Sequence, residues 1–154
     1  MITGAKGTGK STLLRYMTNR LLSSSRNNNS NYNNGSKTIG GGAVAILDTD
    51  VGQPELAPPG LLRLAIVRSP LLRPPYWNLV DVISSVFFGA VTSKVDPTRY
   101  INAVQLLMEK YETEVVQTSP DPIPLLINMD GWVKGMGYQI LTTLIDIIRP
   151  THLV

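Results

Sequence analysis

Hydrophobic positions recur at helical spacing in three stretches of the chain. After a glycine-rich start, apolar residues at steps of three and four predict a first helix over residues 10–22. The same spacing follows Asp96-Pro97, where Asp96 is expected to cap a second helix because its carboxylate can accept free N–H groups of a first turn. Residues 136–148 predict a third helix, which is apolar most of the way round and therefore largely covered.

Short apolar runs between these stretches predict the strands of a sheet. Ala43 to Leu47 and Leu125 to Ile127 are continuous runs, which are typical of strands buried on both faces. Leu61 to Val67 predicts a further strand, and Val86 to Val91 is a third apolar run. The alternation of strands with helices predicts an α/β fold of three layers, α/β/α, around a mostly parallel sheet.

Residues 23–42 interrupt this alternation with a low-complexity tract of serine, asparagine and glycine. Such a composition does not bury enough apolar surface to offset the entropy of ordering the chain. We therefore expect a single domain over residues 1–154 with a disordered insertion at about 23–42.

The most specific motif lies in the glycine-rich start. Gly4-Ala5-Lys6-Gly7-Thr8-Gly9-Lys10-Ser11 fits the phosphate-loop pattern G-x-x-x-x-G-K-[ST], and Thr12 follows. Glycines let the backbone turn its N–H groups toward an anion, and the positive end of the following helix adds to this attraction. Lys10 is expected to reach the β- and γ-phosphates and Ser11 to ligate Mg²⁺. The motif predicts a nucleoside-triphosphate site over residues 4–12.

The two ends of the chain bear on this prediction. A phosphate loop normally follows a buried strand of about five residues. Only Met1-Ile2-Thr3 precede Gly4, and His152-Leu153-Val154 has the pattern of a strand just beginning. We therefore expect a partial nucleotide-binding domain, shortened at both ends.

Composition narrows the function classes further. The hydrophobic fraction of 43% is typical of a globular domain, and no apolar run approaches the roughly 20 residues of a membrane span, so no membrane partner is expected. The absence of cysteine excludes disulfides and thiolate metal sites. The net charge of +3 is a mild bias toward polyanions and does not by itself indicate nucleic-acid binding.

Two carboxylates, Asp48 and Asp50, follow the first predicted strand. Because they are two residues apart with one residue between them at the end of a strand, one can face the ligand crevice while the other serves the structure. The carboxylate in the crevice could hold Mg²⁺ or accept the proton of an attacking hydroxyl, and the other could hold the loop lysine or cap the backbone. This arrangement favours a kinase.

A GTPase-like switch is the alternative that the motifs leave open. Such switches carry D-x-x-G-Q and N-K-x-D, whereas here the glycine at Gly52 comes one residue late and Ser93 stands in place of the asparagine. Asp96, which would be the aspartate of N-K-x-D, is also expected to cap a helix. An assembly ATPase is expected to show a second arginine-rich region, which is not seen in this sequence.

Six blocks in chain order together resemble the polynucleotide 5′-hydroxyl kinase family. They are the phosphate loop, Leu47 to Glu55, Pro58-Pro59-Gly60, Phe88 to Ser93, Asn128 to Gly135 and Arg149 to Val154. The blocks D-x-D-x-G-Q-x-E and G-W-x-K-G are specific in combination. The sequence resembles the nucleolar branch that processes pre-ribosomal RNA more than the branch in messenger-RNA 3′-end formation and transfer-RNA splicing.

The resemblance implies ATP-dependent phosphorylation of RNA 5′-hydroxyl ends during ribosomal-RNA processing, in the nucleus and nucleolus, with ATP and Mg²⁺ as cofactors. Lys10 would be catalytic by binding the phosphates. Asp50 would also be catalytic, because it matches the family's acidic residue proposed as general base and metal partner. Ser11 would share the metal with Asp50. Asp48 and Gln53 lie in the same block and are further candidates.

The resemblance also implies a role for Trp132, which matches an aromatic residue that stacks on a substrate base. Stacking suits an RNA-binding site with little sequence preference, because every base has a π-face. Asp130 departs from the family pattern and is assigned no role. A nucleotide-binding scaffold for a partner nuclease is the remaining hypothesis, and it requires no catalysis.

Overall fold

The structure is a computed structural model that describes residues 1–28 and 42–154, with no description of side chains over 25–28. Most of the predicted disordered insertion therefore lies outside the described residues. The described part contains three α-helices and four strands. In chain order these are α1 (Lys10–Asn28), β1 (Val44–Asp48), β2 (Leu61–Val67), β3 (Asp81–Phe87), α2 (Pro97–Tyr111), β4 (Leu125–Asn128) and α3 (Met136–Ile148). A 3-10 turn over Ser93–Val95 precedes α2, and a π-helical turn over Glu112–Val116 follows it.

Helix α1 is longer than its apolar pattern predicts, because it continues past residue 22 to Asn28. The serines in this last part bond back along the helix. Ser23 Oγ donates to the carbonyl of Asn19 at 2.8 Å, and Ser24 Oγ donates to the carbonyl of Arg20 at 2.9 Å. Such bonds satisfy the hydroxyls without leaving the helix, so the serine-rich composition does not end it.

The sheet is only partly parallel, which corrects the predicted mostly parallel arrangement. Its strand order is β3-β2-β1-β4, in which β1 pairs parallel with β4 but antiparallel with β2, and β2 pairs antiparallel with β3. Parallel neighbours need a crossover, usually a helix, to carry the chain back along the sheet. Residues 49–60 and 68–80 contain no helix, whereas α2 lies between β1 and β4 and supplies one.

Strand β3 also begins earlier than the third apolar run indicates, since only Val86 and Phe87 of that run belong to it. It is the edge strand of the sheet, and its residues are exposed or half-buried. A strand that is not covered on both faces does not need a continuous apolar run, so its sequence signal is weak.

The helices pack on both faces of the sheet. Helix α1 covers one face, where Leu14 and Leu22 join the core residues Val44, Ile46, Ala65, Val67 and Leu126. Helices α2 and α3 cover the other face, where the buried core contains Leu47, Leu62, Leu64, Tyr100, Val104, Leu107 and Leu144. As predicted, Asp96 caps α2, because its side chain accepts the N–H of Arg99 at 2.9 Å.

The first residues of the chain extend the parallel side of the sheet. The N–H of Ile2 donates to the carbonyl of Ile127 at 2.8 Å, and Ile2 forms a parallel bridge with Asn128. On the other side, the N–H of Thr3 donates to the carbonyl of Val154 at 2.7 Å. This segment therefore places Gly4 beside the carboxyl ends of β1 and β4. Within the described ranges, none of the helices combines the length and apolar character needed to cross a membrane.

Candidate functional site

The glycine-rich loop leads from the first residues into α1 and has an open backbone. Gly7 and Gly9 have φ angles of 82° and 91°, in the left-handed region that favours glycine. A Cβ atom at either position would meet no neighbour within 4 Å, so backbone conformation rather than crowding requires glycine there. The N–H of Leu13 makes an early helical bond, to the carbonyl of Gly9 at 2.9 Å. The N–H groups of the first turn are therefore available to an anion.

The side chain of Lys10 folds back over this loop. Its Nζ donates to the carbonyl of Ala5 at 3.4 Å, and the residue is only 9% exposed. Gly131, in the turn after β4, packs directly on the same loop. A Cβ atom at Gly131 would lie 3.0 Å from the backbone nitrogen of Lys6 and 3.3 Å from Lys10 Nζ. The Lys10 ammonium therefore lies where the phosphate loop meets the turn after β4.

A cleft of about 260 Å³ opens beside this junction. It is lined by Lys6, Lys10, Asp50, Gly52, Gln53, Val91, Thr92, Lys94, Asp130, Gly131 and Trp132. The structure thus brings together five residues that the sequence assigned to the site, namely Lys6, Lys10, Asp50, Gln53 and Trp132. They come from three separate segments that meet at the carboxyl ends of β1 and β4, where ligands bind in open α/β sheets.

Asp50 faces this cleft with one oxygen held and the other free. Its Oδ1 accepts the N–H groups of Gly52 at 3.1 Å and Gln53 at 2.9 Å. Its Oδ2 has no hydrogen-bond partner among the described residues. Burial raises the pKa of Asp50 above its ordinary value, and the charge of Asp130 adds to this, while the two N–H donors and the Lys10 ammonium oppose it. Asp50 is therefore an oriented carboxylate with one oxygen available to a ligand or a proton.

Asp48 lies outside the cleft and is wholly buried. Its Oδ2 accepts the N–H groups of Glu55 at 2.5 Å and Leu56 at 2.9 Å, and its Oδ1 accepts Nδ2 of Asn128 at 2.9 Å. Burial raises its pKa to about 6 although these three donors favour the ionised form. Its contacts fasten the loop after β1 to the sheet, which is the backbone-capping role open to one of the two carboxylates.

Ser11 and Thr12 line a second groove, of about 600 Å³, on the other side of Gln53. Gln53 lines both spaces. In this groove Arg15 forms an ion pair with the buried Glu55, with Arg15 NH2 2.7 Å from Glu55 Oε1. The ion pair fixes the first turns of α1 against the loop after β1.

The donors of this region fit Mg²⁺ by chemistry, because Mg²⁺ prefers oxygen and is usually held by one or two carboxylates together with phosphates and waters. The Asp50 carboxylate lines the cleft and Ser11 lines the neighbouring groove, and Gln53 lines both spaces. No group of three or more histidine, cysteine, aspartate or glutamate side chains suited to a metal ion occurs in the described ranges. A magnesium ion here would therefore depend on the phosphates of a bound nucleotide.

Trp132 forms one wall of the cleft and is half-buried. The ammonium nitrogen of Lys94 lies 4.7 Å from the centroid of its ring. Gly137, at the start of α3, packs against the same residue, because a Cβ atom there would lie 2.6 Å from two ring carbons of Trp132. Trp132 is thus held between α3 and Lys94, with its position fixed by packing.

Sequence reasoning missed two charged residues of the cleft, Lys94 and Asp130. Asp130 accepts the hydroxyl of Ser93 on Oδ2 at 2.6 Å and the N–H of Trp132 on Oδ1 at 3.1 Å. A signal for Asp130 was present, because it follows β4 as Asp50 follows β1, and parallel strands end at one edge. Lys94 had no comparable signal, since it lies in a turn that precedes α2.

Comparison with known proteins identifies the family. The model described as the P-loop of mRNA cleavage and polyadenylation factor CLP1 matches residues 4–154. The chain belongs to this family. Its CLP1-type P-loop therefore includes the glycine-rich loop and every residue of the cleft described above.

Curated relatives confirm that the sequence resembles the polynucleotide 5′-hydroxyl kinases. The chain is 40% identical over 152 residues to polynucleotide 5′-hydroxyl-kinase grc3 of Aspergillus niger, which covers 94% of the chain and 18% of that protein. It is 33% identical to grc3 of Schizosaccharomyces pombe, over 100% of the chain and 19% of that protein. It is 35% identical to polynucleotide 5′-hydroxyl-kinase NOL9 of Arabidopsis thaliana, over 100% of the chain and 39% of that protein. The chain thus spans less than two fifths of these relatives.

Proposed function

We propose that this CLP1-type P-loop is the catalytic core of an ATP-dependent polynucleotide 5′-hydroxyl kinase that phosphorylates RNA ends during ribosomal-RNA processing in the nucleolus. The observation that carries the proposal is the meeting of Lys10, Asp50 and Trp132 in one cleft beside the phosphate loop. The activity that the names of the grc3 and NOL9 relatives state supports the same reaction class.

The loop and Lys10 form the donor side of the proposed reaction. The N–H groups at the start of α1 hold the phosphates of ATP, and the Lys10 ammonium leaves the carbonyl of Ala5 to neutralise charge on the β- and γ-phosphates. Asp50, through a water molecule, and Ser11 would hold Mg²⁺ together with those phosphates, and the ion would supply further charge neutralisation. Because a loose phosphoryl-transfer transition state needs mainly positioning and charge stabilisation, these residues supply most of what the protein must provide.

Asp50 and Trp132 form the acceptor side. The terminal base of the RNA takes the place of the Lys94 ammonium over the ring of Trp132, and this stacking contributes roughly 1–3 kcal/mol with little dependence on base identity. The free Oδ2 of Asp50 orients the ribose 5′-hydroxyl and accepts its proton as the oxygen attacks the γ-phosphorus. Burial raises the pKa of Asp50, which makes its carboxylate a stronger proton acceptor. The bond from the γ-phosphorus to the bridging oxygen then breaks, and ADP leaves.

The test is transfer of the γ-phosphate of ATP to an oligoribonucleotide with a 5′-hydroxyl by the full-length gene product. Asp50→Asn keeps an acceptor for the two N–H groups but removes the base, so we expect kcat to fall by about 10²–10⁴-fold. Asp121→Asn, at a half-buried site outside the cleft, is the matched control and should leave kcat unchanged.

Three outcomes would contradict the proposal. If phosphate transfer is unchanged in Asp50→Asn, Asp50 does not act as the base. A strong preference for GTP over ATP, with hydrolysis and no transfer, would favour the switch, although Asp96 is engaged in capping α2. Nucleotide binding with assembly of a partner nuclease, but without transfer, would favour the scaffold.

A further inference from the structure

The turn that contains Asp130 connects three parts of the cleft. Both of its carboxylate oxygens accept hydrogen bonds, one from the hydroxyl of Ser93 at 2.6 Å and one from the N–H of Trp132 at 3.1 Å. Ser93 is only 2% exposed, so the first of these bonds is shielded from water. Asp130 therefore links the turn before α2 to the residue that forms the wall of the cleft.

The same turn also contacts the phosphate loop. Through Ser93 it is connected to the neighbouring Lys94, whose ammonium lies over the ring of Trp132. Gly131 lies against the backbone of Lys6 so closely that a Cβ atom would be 3.0 Å from its nitrogen. Lys94, the neighbour of Ser93, places its ammonium 4.7 Å from the ring centroid of Trp132. The donor loop, the Trp132 ring and the Lys94 ammonium are thus held in one arrangement by the turn around Asp130.

We propose that Asp130 is a positioning residue that holds Trp132 and Lys94 at the acceptor side of the cleft, through its hydrogen bonds to Ser93 and to the N–H of Trp132. The proposal rests on the kinase function proposed above. The negative charge of Asp130 is not required for this role, because what matters is one acceptor for the N–H and one partner for the hydroxyl. Asn can supply both, since its oxygen accepts and its amide group can donate to Ser93 Oγ.

Three variants of the full-length protein separate positioning from charge. Asp130→Ala removes both bonds, Asp130→Asn can keep both, and Ser93→Ala removes one. Asp146→Ala, at an exposed position on α3, is the matched control. For each variant, kcat and KM are measured separately for ATP and for a 5′-hydroxyl oligoribonucleotide, and nucleotide binding and thermal unfolding are measured alongside.

We expect Asp130→Ala to raise the oligonucleotide KM about tenfold or more, as the loss of hydrogen bonds to a charged group implies, with the KM for ATP changed less than threefold. Ser93→Ala should show a smaller rise, and Asp130→Asn should restore most of the affinity. In the double variant Asp130→Ala with Ser93→Ala, the rise should not exceed that of Asp130→Ala alone, because the two residues share one bond.

The proposal is overturned if Asp130→Asn loses as much as Asp130→Ala, because charge would then be the property that matters. It is also overturned if KM for ATP and for the oligonucleotide rise together. If Asp130→Ala does not fold, Ser93→Ala decides, and an unchanged oligonucleotide KM there contradicts the proposal. A wild-type protein that transfers no phosphate instead contradicts the kinase function itself, which distinguishes the two failures.

Discussion

Asp48 gives the sharpest test of how the site is built, because it is a wholly buried carboxylate whose pKa is raised to about 6. The pKa of the folded state lies above the ordinary value of 3.8, so the contribution to stability is fully present below about pH 4 and is lost as the pH rises through 6. At 1.36 kcal/mol per pH unit, the loss amounts to about 3 kcal/mol.

Asp48→Asn removes this titration while keeping most of the contacts. The amide oxygen can accept the N–H groups of Glu55 and Leu56. The amide nitrogen can donate to Oδ1 of Asn128, if that side chain turns its amide around, since this oxygen has no hydrogen-bond partner in the described part of the chain. We therefore expect the free energy of unfolding of wild type, relative to Asp48→Asn, to fall by about 2–3 kcal/mol between pH 4 and pH 7.5.

The assay is urea unfolding of the purified protein and of Asp48→Asn, followed by far-ultraviolet circular dichroism at both pH values in the presence of a chelator. The other titratable groups are common to both proteins, so their contributions cancel in the difference, apart from that of Asp50, whose charge interacts with Asp48. Asp48→Ala is the second comparison, and it should be less stable than Asp48→Asn at both pH values because it leaves three buried donors without an acceptor. A difference between wild type and Asp48→Asn that does not change with pH would contradict the raised pKa of Asp48.

Three further predictions concern the loop and its supports. Lys10→Met should weaken ATP binding about 10–100-fold in calorimetry, because it removes a charged donor to phosphate, and it should leave thermal unfolding nearly unchanged. Gly131→Ala should also weaken ATP binding, because its Cβ atom would lie 3.0 Å from the nitrogen of Lys6; equal affinity in the same titration would contradict the packing described. Tyr100→Phe should lower the free energy of unfolding by about 1–2 kcal/mol in urea, because the buried Tyr100 hydroxyl donates to the carbonyl of Thr49 at 3.0 Å, and no change would show that bond to be unimportant.

Local sequence signals predicted those elements whose cause is local. The bounds of β2 and of α3 agree with their apolar patterns, and Asp96 caps α2 as its position before a proline indicates. Strand direction was not predicted correctly, because it depends on whether a connection contains a helix and not on the strand itself. The edge strand β3 was misplaced for a related reason, since an uncovered strand has no need of an apolar run.

In the candidate site too, locally determined features could be predicted and those that depend on distant segments could not. The phosphate loop is a contiguous motif, so its residues could be found from spacing alone. The alternation of Asp48 and Asp50 indicated that one would face the crevice, but only the structure shows that Asp50 lines the cleft and Asp48 is buried beneath it. Asp130 could have been found, because it follows β4 as Asp50 follows β1. Lys94 joins the site through a contact between segments that are distant in sequence, and such a contact leaves no local pattern.

The proposed kinase function requires that the cleft transfer a phosphate from ATP to the 5′-hydroxyl of a polynucleotide. The most direct measurement incubates the full-length protein with γ-labelled ATP and two otherwise identical oligoribonucleotides, one with a 5′-hydroxyl and one with a 5′-phosphate. The proposed function predicts label on the 5′-hydroxyl strand alone, removable by phosphatase, and a large loss of label in Asp50→Asn. Label on neither strand, or equal label on both, would contradict it.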